Sequence, residues 1–288
     1  MKKLLSIIIV TYNSERLIFD CLNSIYNFND IDNSLEIIIV DNCSADCEQV
    51  FAKIQTDYPI DIVLIKNGEN KGYGYGNNLG VNVSNAPYFI VMNPDVRLVE
   101  PIFQKILSKF NEYRSVGMMG VCFKDGSDNL YFKPEYQNLF KMIFSHMFIK
   151  FKIFDIENMY FSGSFLIFDK QSFIEAGYFD EHIFMYYEEA DISNRIIAVK
   201  KKTLLLNDVF VLHLIHGREV KPNLLEIDVV SLKYYLNKYH TNSDKYISRL
   251  LFMFHLKYFV AMVLKNKIKM QYFKTRILIC NKSKQPND

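Results

Sequence analysis

Leu4-Leu5-Ser6-Ile7-Ile8-Ile9-Val10, running directly into Thr11-Tyr12-Asn13, is the stretch whose reading decides the fold. A nearly continuous apolar run of β-branched residues describes a strand buried on both faces, as strands of parallel sheets are. With Met1-Lys2-Lys3 before it, the run imitates a signal peptide. Thr11-Tyr12-Asn13-Ser14-Glu15 ends it without a small-residue cleavage site, so a first β-strand is expected.

Outward from this strand the same texture recurs. Residues 36–40, 60–65 and 88–92 read as further strands. Between them lie a helix with Leu17, Cys21, Ile25 and Phe28 on one face, and helical segments near 47–56 and 76–83. Residues 163–168 resume as a strand, 191–200 as a helix, and 204–206 and 209–212 as short strands. From 224 onward the period is helical. Residues 121–160 are aromatic-rich without clear period, suiting either a mobile loop or an acceptor-binding insertion. Strand–helix alternation predicts an α/β fold: a mostly parallel central sheet flanked by helices, with a helical C-terminal extension. The expected division is a first domain over 1–220 and a basic extension over 221–288.

Composition excludes disorder, since half of the 288 residues are hydrophobic and 15% aromatic. Cys43 and Cys47 have helical spacing, but no second pair or nearby His completes a zinc site. With Cys21, Cys122 and Cys280 they suit reduced thiols of a cytosolic protein. No stretch reaches the roughly 18–20 apolar residues of a membrane-crossing helix. Residues 250–264 come closest, yet contain His255 and Lys257. The net charge of +2 conceals an asymmetry, because ten Lys and Arg but only Asp288 among the acids lie in 245–288. Interleaved with Leu, Phe, Met, Tyr and Ile, this basic end suits an anionic membrane surface, and no nucleic-acid reading module accompanies it.

In open α/β sheets ligands bind beyond the carboxyl ends of the strands. Those ends here carry Thr11-Tyr12-Asn13, Asp41-Asn42, the stretch from Asn67 to Asn78 and Asn93-Pro94-Asp95, together a pocket for a polar ligand. Asp41 suits hydrogen bonds from a base N–H or a ribose hydroxyl, or equally the capping of a helix. Gly72, Gly74, Gly76 and Gly80 let backbone approach a ligand, or form a turn; the spacing is neither a Walker A loop nor a dinucleotide fingerprint. Asn93-Pro94-Asp95 is a turn, or the place where Asp95 holds Mg²⁺ or Mn²⁺, with His213 or His216 as a further ligand. Phe184-Met185-Tyr186-Tyr187-Glu188-Glu189-Ala190-Asp191 packs three acids among aromatics. Glu188, Glu189 and Asp191 either complement a helix N-terminus or include a general base.

In this order the clusters resemble the inverting glycosyltransferases of family 2 with the GT-A fold, over roughly residues 4 to 240. The resemblance is nearest to the rhamnosyltransferase-like branch of bacterial surface-polysaccharide (O-antigen) synthesis. Residues 6–13 resemble the family's first strand and nucleotide-contacting turn, 38–44 its "VVDN-x-S" segment, and 70–80 its "N-x-G-F-G-x-G-N-N-x-G" stretch. Asn93-Pro94-Asp95 stands at its metal motif, Ser162-Gly163-Ser164-Phe165 and residues 177–181 before its catalytic acids, and Glu188-Glu189-Ala190-Asp191 at its "E-D-x-D" position. The family's usual base, an Asp, is Glu189 here, one methylene longer; Glu188 and Asp191 remain rivals.

The resemblance implies a nucleotide-diphosphate sugar held by Thr11, Tyr12, Asn13, Asp41, Asn42, Lys71, Gly72, Asn78, Asn93 and Gly163. It further implies a divalent cation, Mg²⁺ or Mn²⁺, at Asp95 with His213. Glu189 would deprotonate the hydroxyl of a lipid-linked or polysaccharide acceptor on the inner face of the cell membrane. A nucleotidyltransferase of related fold and a non-catalytic carbohydrate- or membrane-binding module are the alternatives. The donor sugar and the oligomeric state stay open.

Overall fold

The computed structural model describes residues 2–58, 62–124, 129–151, 155–214 and 222–284. Its chain divides into two compact units. The first comprises Met1–Tyr131, Met159–Phe184 and Glu188–His216; the second comprises Phe132–Asn158, Met185–Tyr187 and Gly217–Asp288. The expected single boundary after residue 220 differs from this division, in which an internal segment joins the helical C-terminal region.

In the first unit, β1 (Leu5–Thr11), β2 (Leu35–Asp41), β3 (Ile62–Lys66) and β4 (Tyr88–Met92) form a parallel set in the order β3-β2-β1-β4. Every residue of β2, and all but Val10 of β1, is buried, which is why both are largely apolar; the buried Glu36 of β2 accepts from the Ser6 hydroxyl of β1 at 2.6 Å. The connections carry α1 (Glu15–Asn27), α2 (Cys47–Asp57) and α3 (Tyr73–Val83). The buried stripe of α1 is Ile18, Cys21, Leu22 and Ile25 at helical spacing, shifted slightly from the predicted face.

Further along the chain are β5 (Val96–Leu98), α4 (Phe103–Glu112), β6 (Val116–Phe123), β7 (Leu130–Phe132), α5 (Leu139–Lys150), β8 (Met159–Phe161), β9 (Phe165–Asp169), α6 (Lys170–Glu175), α7 (Glu188–Ala198) and β10 (Lys202–His213). The eight-stranded sheet is ordered β3-β2-β1-β4-β9-β6-β10-β5. β9 runs against β4 and β6, and β5 against β10, so six of the eight strands point one way. The sheet is mostly parallel, as expected, with two reversed strands: β9 is the strand expected at 163–168, without its direction, and β5 is not among the expected strands. β7 and β8 form a separate two-stranded sheet. The described residues within 121–160 hold the end of β6, the three-residue strands β7 and β8, and the helix α5.

The two short strands expected at 204–206 and 209–212 are one strand, β10, with a register shift between Leu206 and Phe210. Asn207 and Asp208 bulge out to solvent, and Asp208 pairs with Lys105 at 3.0 Å. Two consecutive polar residues looked like a turn because a bulge exposes the same residue types.

The second unit contains α5, α8 (Pro222–Lys238), α9 (Ser243–Val263) and α10 (Lys267–Lys282). Tyr235 is fully buried there and donates its hydroxyl to both carboxylate oxygens of Glu135. α9 starts at Ser243, earlier than the apolar stretch at 250–264 implied, and its 21 residues make it long and apolar enough to cross a membrane. One third of its most apolar window is buried (33%), so length and composition alone do not make it a span.

The helix α3 begins three residues before the predicted segment at 76–83 and takes in Gly74, Gly76 and Gly80. Those glycines are packing devices. A Cβ on Gly80 would lie 2.4 Å from Cγ2 of Ile8 on β1, and one on Gly76 would lie 2.9 Å from Cγ1 of Val10. Overpacking costs about 1–3 kcal/mol, against a few tenths gained by leaving Gly for Val in a helix. Gly80→Val should therefore lower unfolding stability by about 2 kcal/mol in urea denaturation; an unchanged midpoint would show that α3 lifts from β1 at little cost.

Candidate active site

Topology gathers the candidate residues before any side chain is considered. β1, β2 and β4 are parallel neighbours, so Thr11, Asp41 and the Asn93-Pro94-Asp95 turn share one edge of the sheet. β9 is antiparallel to β4 with Met92 opposite Phe165, which brings its leading residues Gly163 and Ser164 to that edge. The backbone N–H of Asn93 donates to the Ser164 carbonyl at 2.9 Å. At the far end of the sheet, His213 pairs with Val96, immediately after Asp95.

Asp41 is buried and its carboxylate is well supplied. Thr11 donates its hydroxyl to Oδ2 at 3.0 Å; Ser44 donates its N–H to Oδ1 at 2.7 Å and its hydroxyl to Oδ2 at 2.6 Å. It thus holds the turn after β2 and is not the cap of α2, whose N-cap is Asp46. Asn13, at φ 50°, donates its N–H to the Ser44 hydroxyl at 2.8 Å, and Tyr12 is 52% exposed beside it. Asn42 is buried and works as a clamp, donating its amide to the Gly72 carbonyl at 2.9 Å and accepting from Asn67 at 3.3 Å.

Gly72 has no room for a side chain. Its φ is 100°, and a Cβ would stand 2.2 Å from the Phe184 carbonyl oxygen. The same carbonyl accepts from the Tyr73 N–H at 2.9 Å. Tyr73 passes the connection on, donating its hydroxyl to the Gly163 carbonyl. The Gly163 N–H in turn donates to Oε1 of Glu189 at 3.0 Å. Burial, and after it the charges of Glu189 and Glu188, hold the Tyr73 phenol well above its ordinary range, so it remains a donor.

The three acids occupy the first turn of α7, which begins at Glu188 and not at 191 as the period implied. The chain enters it through two left-handed residues, Tyr186 (φ 74°) and Tyr187 (φ 70°). Their environments differ. Asp191 is fully buried and takes the Arg195 Nε at 2.9 Å and Nη2 at 2.6 Å on Oδ2, while Arg195 also donates to the Ala176 carbonyl. Its carboxylate anchors the helix. Glu188 is buried, and its Oε2 has no hydrogen-bond partner among the described residues. Burial, then the neighbouring charges of Glu189 and Asp191, push its pKa well above the ordinary 4.5. Glu189 alone of the three is half-buried, held by Gly163 yet reachable.

Asp95 and His213 are both buried, with Nε2 of His213 3.4 Å from Oδ2 of Asp95. A carboxylate oxygen beside an imidazole nitrogen is a donor set that Mn²⁺ or Mg²⁺ accepts. Among the described residues no group of three or more His, Cys, Asp and Glu forms a complete metal cage. His216 lies outside the described residues.

Two expected ligand residues are used otherwise. The Asn78 amide donates to the Phe179 carbonyl and to Glu181, both at 3.0 Å, and accepts from the Phe179 N–H at 3.0 Å. It fastens α3 to the 179–181 turn. Lys71 is exposed, 2.8 Å from Glu69 and above the Tyr75 ring. Sequence reasoning missed Ser44, Tyr73 and Phe184 as site-building residues. Tyr73 stood inside the glycine-rich stretch, but nothing local indicated that its hydroxyl would reach Gly163, 90 residues away.

A carboxylate whose folded-state pKa lies above its unfolded value binds more protons folded than unfolded, so stability falls as pH rises from that unfolded value. Glu188→Gln keeps the shape and removes the titration. Its melting temperature should exceed that of the unmodified chain by a margin growing as pH climbs above 4.5; a margin independent of pH would mean that Glu188 is not enclosed.

Residues 6–177 match the model of glycosyl transferase family 2. The low-salt glycan biosynthesis hexosyltransferase of Haloferax volcanii is 26% identical over 237 residues, covering 77% of this chain and 70% of the relative. The minor teichoic acid biosynthesis protein GgaB of Bacillus subtilis is 25% identical over 210 residues, which are 70% of this chain but 22% of that larger protein. Among solved structures, the mannosyltransferase of Pyrobaculum calidifontis in complex with GDP-Man and Mn²⁺ superposes with a TM-score of 0.69 at 12% identity, over 98% of this chain and 86% of that one. The S. aureus TarS fragment in complex with UDP gives 0.55 at 16% identity, over 93% and 77%. These likenesses establish the GT-A fold, and the family match covers well over half of the chain: it belongs to glycosyl transferase family 2.

Proposed function

We propose that this chain transfers a sugar from a nucleotide-diphosphate sugar to an acceptor hydroxyl with inversion at the anomeric carbon, and that Glu189 is the base. The observation that carries the reading is Glu189 itself, half-buried and held by the Gly163 N–H at the sheet edge that also bears Asp41 and Asp95. The family match favours sugar transfer over nucleotidyl transfer.

In this reading the turn of Thr11, Tyr12 and Asn13 and the carboxylate of Asp41 receive the nucleoside, with Asp41 accepting from the base or ribose. Tyr12, exposed, is placed to lie against a base ring. Asn93 and the Gly72 backbone border the donor. Asp95 with His213 would hold a divalent cation, whose charge, when it is bound, offsets that of the departing diphosphate. Glu189 takes the acceptor proton as the oxygen attacks from the side opposite the leaving group. The Gly163 N–H holds one carboxylate oxygen of Glu189 at 3.0 Å. Asp191, tied to Arg195, positions the helix instead of competing for the proton.

The donor sugar in this proposal is a hexose, with rhamnose favoured by the resemblance of the motifs and other nucleotide-linked hexoses by the naming of the relatives. The acceptor is lipid-linked, and the basic C-terminal region brings the enzyme to the inner face of the membrane as a peripheral protein.

Glu189→Gln should lower turnover by about 10²- to 10⁴-fold, the usual worth of a general base. The donor-induced rise in melting temperature, screened over UDP-, GDP- and dTDP-sugars with Mn²⁺, should survive the substitution. Near-normal turnover in the Gln variant would remove Glu189 from the role. Asp95→Asn should raise the Mn²⁺ concentration needed for half-maximal activity; an unchanged metal titration would place the cation elsewhere.

A further inference from the structure

Apolar side chains collect at the end of the α9–α10 hairpin, where a water-facing helix pair would bury them. Ile268 is 84% exposed, Leu264 71%, Val263 63%, and Phe259 56%. The opposite side of α9, at Tyr246, Ile247, Met253, Phe254 and Ala261, is buried within the second unit. The exposed side is therefore a distinct face of a packed helix.

The turn joining the two helices is closed firmly. The Asn266 N–H donates to the Ala261 carbonyl at 2.9 Å, and Asn266 caps α10 by accepting from the Lys269 N–H at 3.0 Å. Between the helices runs a groove of about 510 Å³ whose lining includes Leu256, Val260, Leu264 and Phe273, with Lys257 and Lys269 also on it.

Charge selects the occupant. From Lys245 to Lys284 there are ten basic residues and no acid; Lys265, Lys267 and Lys269 flank the turn in sequence, and Lys257 and Lys269 line the groove. Two copies of such a face would repel one another. A nucleic acid would leave Ile268 and Leu264 in water. An anionic bilayer surface answers both features, since hydrocarbon receives the apolar side chains and lipid phosphates the ammonium groups.

We infer that the end of the α9–α10 hairpin is a monotopic anchor, sinking Val263, Leu264 and Ile268 into an anionic bilayer leaflet while the flanking lysines bind lipid phosphates. The groove beside it receives a hydrocarbon chain from the same leaflet. This deepens the peripheral-membrane part of the proposed function by naming the inserted residues, and it stands or falls separately from sugar transfer.

The chain contains no Trp, so Leu264→Trp provides a single reporter in the otherwise unchanged chain. With vesicles of phosphatidylcholine plus phosphatidylglycerol its emission should shift to the blue and be quenched by brominated lipid; pure phosphatidylcholine should do neither. Leu264→Asp with Ile268→Asp should abolish flotation on those vesicles while retaining donor-induced thermal stabilisation. Exchanging Lys265, Lys267 and Lys269 for Gln should weaken partitioning about 100-fold, at roughly fivefold for each charge. A water-exposed Trp on floated protein, equal binding to neutral vesicles, or a blue shift on concentrating the protein without lipid would each overturn the anchor. Retention in the membrane after alkaline carbonate washing would also overturn it, in favour of a spanning α9. Loss of the anchor with donor binding intact would leave the sugar-transfer reading standing.

Discussion

Gly163 is the constraint on which the candidate site depends. Its carbonyl accepts from the Tyr73 hydroxyl and its N–H donates to Glu189, so both of its polar groups are committed at the sheet edge. A Cβ there would stand 2.2 Å from Oε1 of Glu189, so any larger residue would push that carboxylate out of its position. Through Tyr73 and Gly72 the same connection reaches Asn42 and the end of β2. Glu189 and the end of β2 are thus linked through hydrogen bonds of Gly163, Tyr73 and Gly72.

The acids of α7 illustrate how one short segment acquires separate roles from environment alone. Asp191 is paired with the partly buried guanidinium of Arg195, Glu188 is enclosed with its pKa raised chiefly by burial, and Glu189 keeps solvent access. Desolvation and pairing act in opposite directions on a carboxylate, so adjacent residues of like chemistry diverge. The helix-start reading and the catalytic reading of this segment are compatible, because the first turn of a helix both favours acids and fixes their direction.

Within the sheet, close approach matters as much as hydrophobicity. The glycines of α3 resemble a ligand-binding loop in one dimension, yet Gly76 and Gly80 serve to bring the helix onto β1. Asn78 on the same helix closes the 179–181 turn. A stretch read as close backbone approach to a ligand or as a turn is largely a closely packed helix, and Gly72 and Tyr73 at its start also build the site.

Much of this protein was legible in one dimension. Nearly continuous apolar runs mark β1, β2 and β4 because burial on both faces favours apolar side chains, and helical spacing marks α1 because only one of its faces is buried. The polar residues at strand ends were legible too, since an open α/β sheet must place them along one edge. The direction of β9, the strand β5, the bulge in β10, and the partition of roles among Glu188, Glu189 and Asp191 were not. Strand direction, register and desolvation depend on partners distant in sequence, and Tyr73 with Gly163 meet only when the sheet closes. Sequence by itself determined the strands and helices through β4 and the polar chemistry at their ends, but not β5, α4 or β6; tertiary structure decided which carboxylate is reachable, because burial and hydrogen bonding are properties of the surroundings and not of the residue.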